Sequence, residues 1–154
     1  IEKMATLKMI PSIFVGHVNY WGDVHMKNFG PVRGSRVSPA KDALDAGLVY
    51  NFHTDTPVVK PDMLHAVWTA VNRVTRSGRV IGEEQRISAY DALRGITINA
   101  AYAYFEEDSK GSIKEGKRAD LVVLDANPLK VDPMAIKDIK ILETIKDGVT
   151  VFTA

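Results

Sequence analysis

Phe52-His53-Thr54-Asp55-Thr56-Pro57-Val58 ends a short apolar run, Leu48-Val49-Tyr50-Asn51-Phe52, with an acidic residue. The run reads as a buried strand, and Thr56-Pro57 ends it because proline has no N–H to give to a sheet ladder. A loop follows, and then a helix from near Pro61-Asp62. Its residues Met63, Leu64, Val67, Trp68, Val71 and Val74 recur at three and four, forming one apolar stripe that closes at Ser77-Gly78. A carboxylate between such a strand and such a helix is where α/β enzymes place working groups. The stretch decides for an α/β fold.

Upstream, Ile1 to Leu7 reads as the tail of a helix and Met9-Ile10-Pro11-Ser12-Ile13-Phe14-Val15 as a second strand. From Gly16 through Gly22-Asp23, Gly30-Pro31 and Gly34-Ser35 to Val37, the Gly, Asn and aromatic content predicts a long loop. Ser38-Pro39 suits the start of a short helix, Ala40 to Ala46, closed by Gly47. Downstream, Ser88-Ala89-Tyr90-Asp91 resembles a capping box, and its helix carries Ala89, Ala92, Leu93, Ile96 and Ala100 on one face. After about residue 105 the texture changes. Ala119 to Asp125 is a nearly continuous apolar strand, and Ile139–Lys146 and Val149–Phe152 flank Asp147-Gly148, a strong hairpin signal.

Composition bounds the answer. The 154 residues are 45% hydrophobic and 25% charged, which suits one folded domain and neither disorder nor a membrane-embedded chain. The net charge of +1 supports no nucleic-acid or membrane-surface partner. The absence of cysteine excludes disulfides, thiolate-held zinc, iron–sulfur clusters and a cysteine nucleophile. No signal peptide opens the chain, but its first residue is Ile1 rather than Met, so no compartment follows; a cytoplasmic one is the expectation. Two helix-feeding strands also pose a physical problem, because a sheet of two is rarely stable and something else must pair with them.

Several runs taken together resemble the YtcJ-like branch of the amidohydrolase superfamily, which includes N-substituted formamide deformylase. They are His17-Val18-Asn19-Tyr20-Trp21-Gly22-Asp23, Phe52 to Val58, Trp68 to Arg73, Arg86-Ile87-Ser88, Ala92-Leu93-Arg94 and Thr97 to Tyr102. Gly111 to Asp125 is similar to the C-terminal signature of amidohydrolases in general. The resemblance implies a metal-dependent (β/α)8 TIM barrel with a small β-sandwich domain built from both chain ends. Residues 1–105 would be the last two βα units of the barrel, and 106–154 the C-terminal strands of the sandwich. An intact barrel takes about 250 residues, so the expectation is a C-terminal fragment. The implied activity is hydrolysis of non-peptide C–N bonds in an amide, formamide or cyclic amide by metal-activated water. The implied cofactor is one or two divalent ions, zinc foremost, whose other ligands lie outside this chain.

Asp55 matches the aspartate that closes the eighth barrel strand in the family, which implies metal contact and general-base action on the attacking water. From spacing alone it is open between a working group and a cap for the next turn. His53, two residues earlier, shares its face of the strand and is open between lining the site, orienting Asp55 and packing. His17 and Trp21 are candidate substrate-binding residues at the mouth, with Tyr20 and Asp23 beside them; Trp21 as a loop anchor and Asp23 as its cap are the plain alternatives. His25 and His65 carry no supporting pattern. Arg73, Arg76 and Arg79 read as cations meeting a helix end rather than as an anion face. Asp120 reads as fixing a turn, and Asn99 as a candidate bridge between the two parts.

Two readings follow. In the first the chain is part of an enzyme, its partners a small amide-type substrate and the remainder of the same polypeptide, inactive by itself, with a homo-oligomer left open. In the second it is a non-catalytic regulatory or protein-binding module that uses its apolar strand edges.

Overall fold

The computed structural model describes residues 1–154. After a short helix, α1 (Glu2–Thr6), the chain runs β1 (Ser12–Ile13), α2 (His17–Gly34), α3 (Ala40–Asp45), β2 (Asn51–Phe52) and α4 (Met63–Asn72). Then come α5 (Ala89–Ile96), α6 (Ile98–Ala103), β3 (Leu121–Leu124), a 3₁₀ turn (Pro133–Asp138), β4 (Ile141–Lys146) and β5 (Val149–Thr153). No helix is long and apolar enough to cross a membrane.

β1 and β2 pair in parallel, Ser12 opposite Asn51 and Ile13 opposite Phe52. Both are shorter than the apolar runs that predict them, because each has only one neighbour to pair with. Alternation gives this sheet two unlike faces. Ile13, Tyr50 and Phe52 are buried with Val67, Trp68 and Ala92 of α4 and α5 in one core. Ser12, Asn51 and His53 lie on the other face, which is exposed to half-buried. A polar open face backed by a packed one puts the site on the open side.

The segment predicted as a loop from Gly16 to Val37 is largely helix. α2 runs from His17 with a break at Gly30 (φ 72°), just before Pro31. Gly22 misleads as a loop signal. It is a close-approach residue: a Cβ there would lie 2.7 Å from both Ile81 Cδ1 and Thr75 Cγ2. The glycine lets the helix sit against the 74–80 turn.

α4 ends earlier than its apolar stripe suggests. Asp62 caps its start, accepting from the His65 N–H at 2.9 Å. Arg73 ends it in the left-handed conformation (φ 54°), and Val74 leaves the helix to bridge Val80. Of the three arginines only Arg73 stands at the helix end, as its C-cap, while Arg76 and Arg79 lie in the turn beyond it. Arg73 is fully buried and donates to the carbonyls of Ile81, Ser38, Ser35 and Val37 at 2.8–3.1 Å. Arg76 lies 4.7 Å from the centre of the Tyr20 ring, and Arg79 is 3.7 Å from Asp23. With Asn19 donating to Val74 O (2.9 Å) and Ser77 Oγ to Asp23 (2.7 Å), residues 73–79 clamp α2 in place.

Ser88 caps α5 as its sequence suggests, accepting from Asp91 N–H and donating to the Asp91 carboxylate. Asn99 on α6 donates to Tyr50 O at 3.0 Å, tying that helix to β2. β3, β4 and β5 form a separate antiparallel sheet in the order β3-β4-β5. Asp147 (φ 49°) and Gly148 (φ 78°) make its hairpin turn, and Asp120 accepts the Asp147 N–H. Val149 (64% exposed) and Val151 (60%) show that this sheet has little cover within the chain. The turn before β4 packs back on α4: Ile136 is buried, and Trp68 Nε1 donates to Met134 O at 3.0 Å.

Candidate functional site

Parallel pairing brings the C-terminal ends of β1 and β2 to one edge, where α/β sheets collect their working groups. β1 is followed by Phe14 and the turn into α2, which starts at His17; β2 is followed by His53, Thr54 and Asp55. Phe14 is the hub. Its ring centre lies 4.6 Å from that of His17, 5.3 Å from His53 and 5.9 Å from Trp21, and His17 and Trp21 are 5.0 Å apart. Three of the four site residues expected from the sequence thus share one aromatic neighbour.

Asp55 stands at the rim, exposed, in the left-handed region at φ 52°. That region costs an L-residue about 1 kcal/mol, and aspartate tolerates it better than most. The turn after it is closed by backbone, with the Val58 N–H donating to Asp55 O at 2.8 Å. The carboxylate is therefore not spent on capping that turn.

The histidines differ in what holds them. Ser12 Oγ donates to Asn51 Oδ1 at 2.7 Å and lies 2.9 Å from His53 Nδ1. With the hydroxyl hydrogen used on Asn51, His53 Nδ1–H is the donor to Ser12, and the lone pair of His53 is on Nε2. His17 Nδ1 lies 2.9 Å from His25 Nε2. Burial holds the His17 pKa below the ordinary 6.5, His25 and His53 add to the depression, and the Asp55 carboxylate opposes it. His17 is thereby kept neutral near pH 7. Tyr20 and His65 (ring centres 5.2 Å apart) line a shallow hollow with Phe14, Gly16, His53 and Thr54.

Sequence reasoning passed over His25, Phe14, Ser12 and Asn51. For His25 a signal existed: His17, Trp21, His25 and Phe29 recur every fourth residue, a ladder visible only if 17–34 is read as helix. No three His, Asp or Glu side chains stand where they could share a cation. A catalytic zinc takes about three protein ligands, so this chain's donors do not make a metal centre by themselves.

A model described as the amidohydrolase family matches residues 1–152. N-substituted formamide deformylase of Arthrobacter pascens is 34% identical over 134 residues, covering 84% of this chain and 24% of the relative. The putative amidohydrolase YtcJ of Bacillus subtilis is 28% identical over 115 residues, 73% of this chain and 22% of the relative. Among solved structures, an amidohydrolase from Thermotoga maritima aligns with a TM-score of 0.67 at 22% identity, over 99% of this chain and 34% of that one. An uncharacterized metal-dependent hydrolase from Pyrococcus horikoshii gives 0.70 at 24% identity, over 86% and 27%. These structural likenesses speak to fold alone. The chain spans about a quarter of the length of the curated relatives it matches.

Proposed function

The chain belongs to the amidohydrolase family, and from that premise we propose that it is the C-terminal part of a metal-dependent hydrolase of non-peptide C–N bonds. Its substrate class is amides, formamides or cyclic amides. Residues 1–105 supply the last two βα units of a (β/α)8 barrel, and 106–154 a share of a β-sandwich. The open polar face of β1 and β2, with helices packed behind it, supports the barrel assignment.

Asp55 carries the reading. Its carboxylate is exposed at the C-terminal end of a parallel strand, has no hydrogen-bond partner in the chain, and acts electrostatically on His17. In the proposed reaction Asp55 accepts the proton of the attacking water and later returns it to the leaving nitrogen. It would also help to hold a divalent cation, zinc in the first instance, together with residues from the rest of the polypeptide. Such a cation, when bound, supplies a water of lowered pKa. His17, His53 and Trp21 bind the substrate around the Phe14 ring.

The test is Asp55→Asn in the full-length enzyme, assayed on N-alkylformamides and simple acyl amides. Loss of a proton acceptor lowers kcat by about 10²-fold or more, with near-UV circular dichroism unchanged. Full activity in that variant refutes the role. Absence of hydrolysis in the intact full-length protein would instead favour the non-catalytic, protein-binding reading.

A further inference from the structure

We infer that His25 is a positioning residue of this site: it donates its Nε2–H to His17 Nδ1 and so presents His17 Nε2–H as a donor to the substrate carbonyl oxygen. The inference rests on the reading of His17 as a substrate contact.

The geometry constrains both rings. His17 and His25 are 2.9 Å apart through Nδ1 and Nε2, with ring planes 21° apart and centres 5.2 Å apart. His25 stacks on Phe29 at 5.6 Å and 11°, while His17 meets Phe14 edge-on at 4.6 Å and 86°. Each ring is thus held by an aromatic neighbour as well as by the other histidine. His17 Nδ1 is committed to this bond. Its Nε2 has no protein partner and is not a buried unpaired atom, since the only such side-chain atom in the chain is Glu107 Oε2.

The direction of the bond follows from tautomer chemistry. If His17 Nδ1–H were the donor, both neutral rings would carry their proton on Nδ1, the less stable form. Donation from His25 Nε2–H puts the proton on Nε2 of both, the more stable form. The lowered His17 pKa agrees with a neutral His17 ring.

His53 completes the argument. Ser12 and Asn51 leave its Nε2 as an acceptor, and it packs on the same Phe14 ring. One imidazole donor and one imidazole acceptor on a common aromatic floor complement a secondary amide, whose C=O accepts and whose N–H donates.

The experiment uses the full-length enzyme with ¹⁵N-labelled histidine, and four variants: His25→Phe, His25→Gln, His17→Phe and the double His17→Phe/His25→Phe. Phenylalanine keeps the stack on Phe29 without a donor; glutamine keeps a donor without the ring. The ring spectrum of the parent should show His17 protonated on Nε2, retained in His25→Gln and mixed in His25→Phe. On an N-alkylformamide, His25→Phe should raise KM by on the order of 10-fold, with kcat changed less and His25→Gln close to the parent. In the His17→Phe background, adding His25→Phe should change nothing further. His17 protonated on Nδ1 in the parent, or a His25→Gln loss equal to that of His25→Phe, overturns the inference. If His17→Phe leaves KM untouched, the substrate role of His17 falls and this inference with it. If His17→Phe is impaired and His25→Phe is not, only the role of His25 falls.

Discussion

Replacing Arg73 by methionine tests the account of how α2, and with it His17, Trp21 and His25, is held. Arg73 is wholly buried and has no carboxylate partner; its guanidinium is spent on four carbonyl oxygens from two separate segments. Burial pushes its pKa down to about 10, so it stays charged near neutral pH. Methionine fills much of the space but donates nothing. Ser38 O keeps a second donor, the Ala40 N–H at 2.9 Å, whereas the arginine is the protein partner that satisfies Ser35, Val37 and Ile81. Three carbonyls lose their protein donor, one on buried Ile81 and two on half-buried Ser35 and Val37; at about 1–3 kcal/mol for each one fully buried, the upper bound is roughly 3–9 kcal/mol. Entry of water and local relaxation favour the lower end, so the expected loss is about 3–5 kcal/mol. A domain of this kind has about 5–15 kcal/mol in total. Arg73→Lys keeps the charge but loses the fork geometry, and should fall between parent and methionine. Urea unfolding followed by tryptophan fluorescence measures both. A shift below about 1 kcal/mol for methionine would refute the clamp, as expected if replacing a buried charge by an apolar group were neutral here.

Gly82→Ala should destabilise by at least about 3 kcal/mol in the same assay, because φ is +60° and a Cβ would lie 1.9 Å from Ser35 O; an unchanged midpoint would contradict the packing of the 81–82 segment on residue 35. Acidification from pH 8 to 5 should lower the melting temperature. Burial is the first cause holding His17 and His65 below 6.5; His65 is opposed by Asp62 and further lowered by Lys137 and Arg76. The folded state therefore binds fewer protons than the unfolded one, so this stability is complete above 6.5 and is lost as pH falls through the folded values. The double variant His17→Gln/His65→Gln should flatten that slope, and an equal slope in parent and variant would show that other groups set it. The rate loss expected for Asp55→Asn belongs with these, since it separates a proton acceptor from a rim residue of no consequence.

Local chemistry was legible where it dominates. The Asp147-Gly148 hairpin, the Ser88 cap and the apolar stripe of α4 follow from turn geometry, capping and helical period, each confined to a few neighbouring residues. The family was legible too, through the runs around Asp55 and Gly111. The same local rules failed at residues 16–37 because Gly22 answers to Ile81 and Thr75, some fifty residues away. They failed at the end of α4 because Arg73 leaves the helix to serve the carbonyls of another segment.

The amino-acid order by itself determined that this is an α/β chain of the amidohydrolase family with a carboxylate closing a strand. Only the tertiary structure decided which imidazoles meet, what holds Nδ1 of each, and which nitrogen is left free. The physical reason is range: periodicity and capping act over one turn of chain, whereas the bonds that orient His17 and His53 depend on helix α2 forming and on β1 lying beside β2.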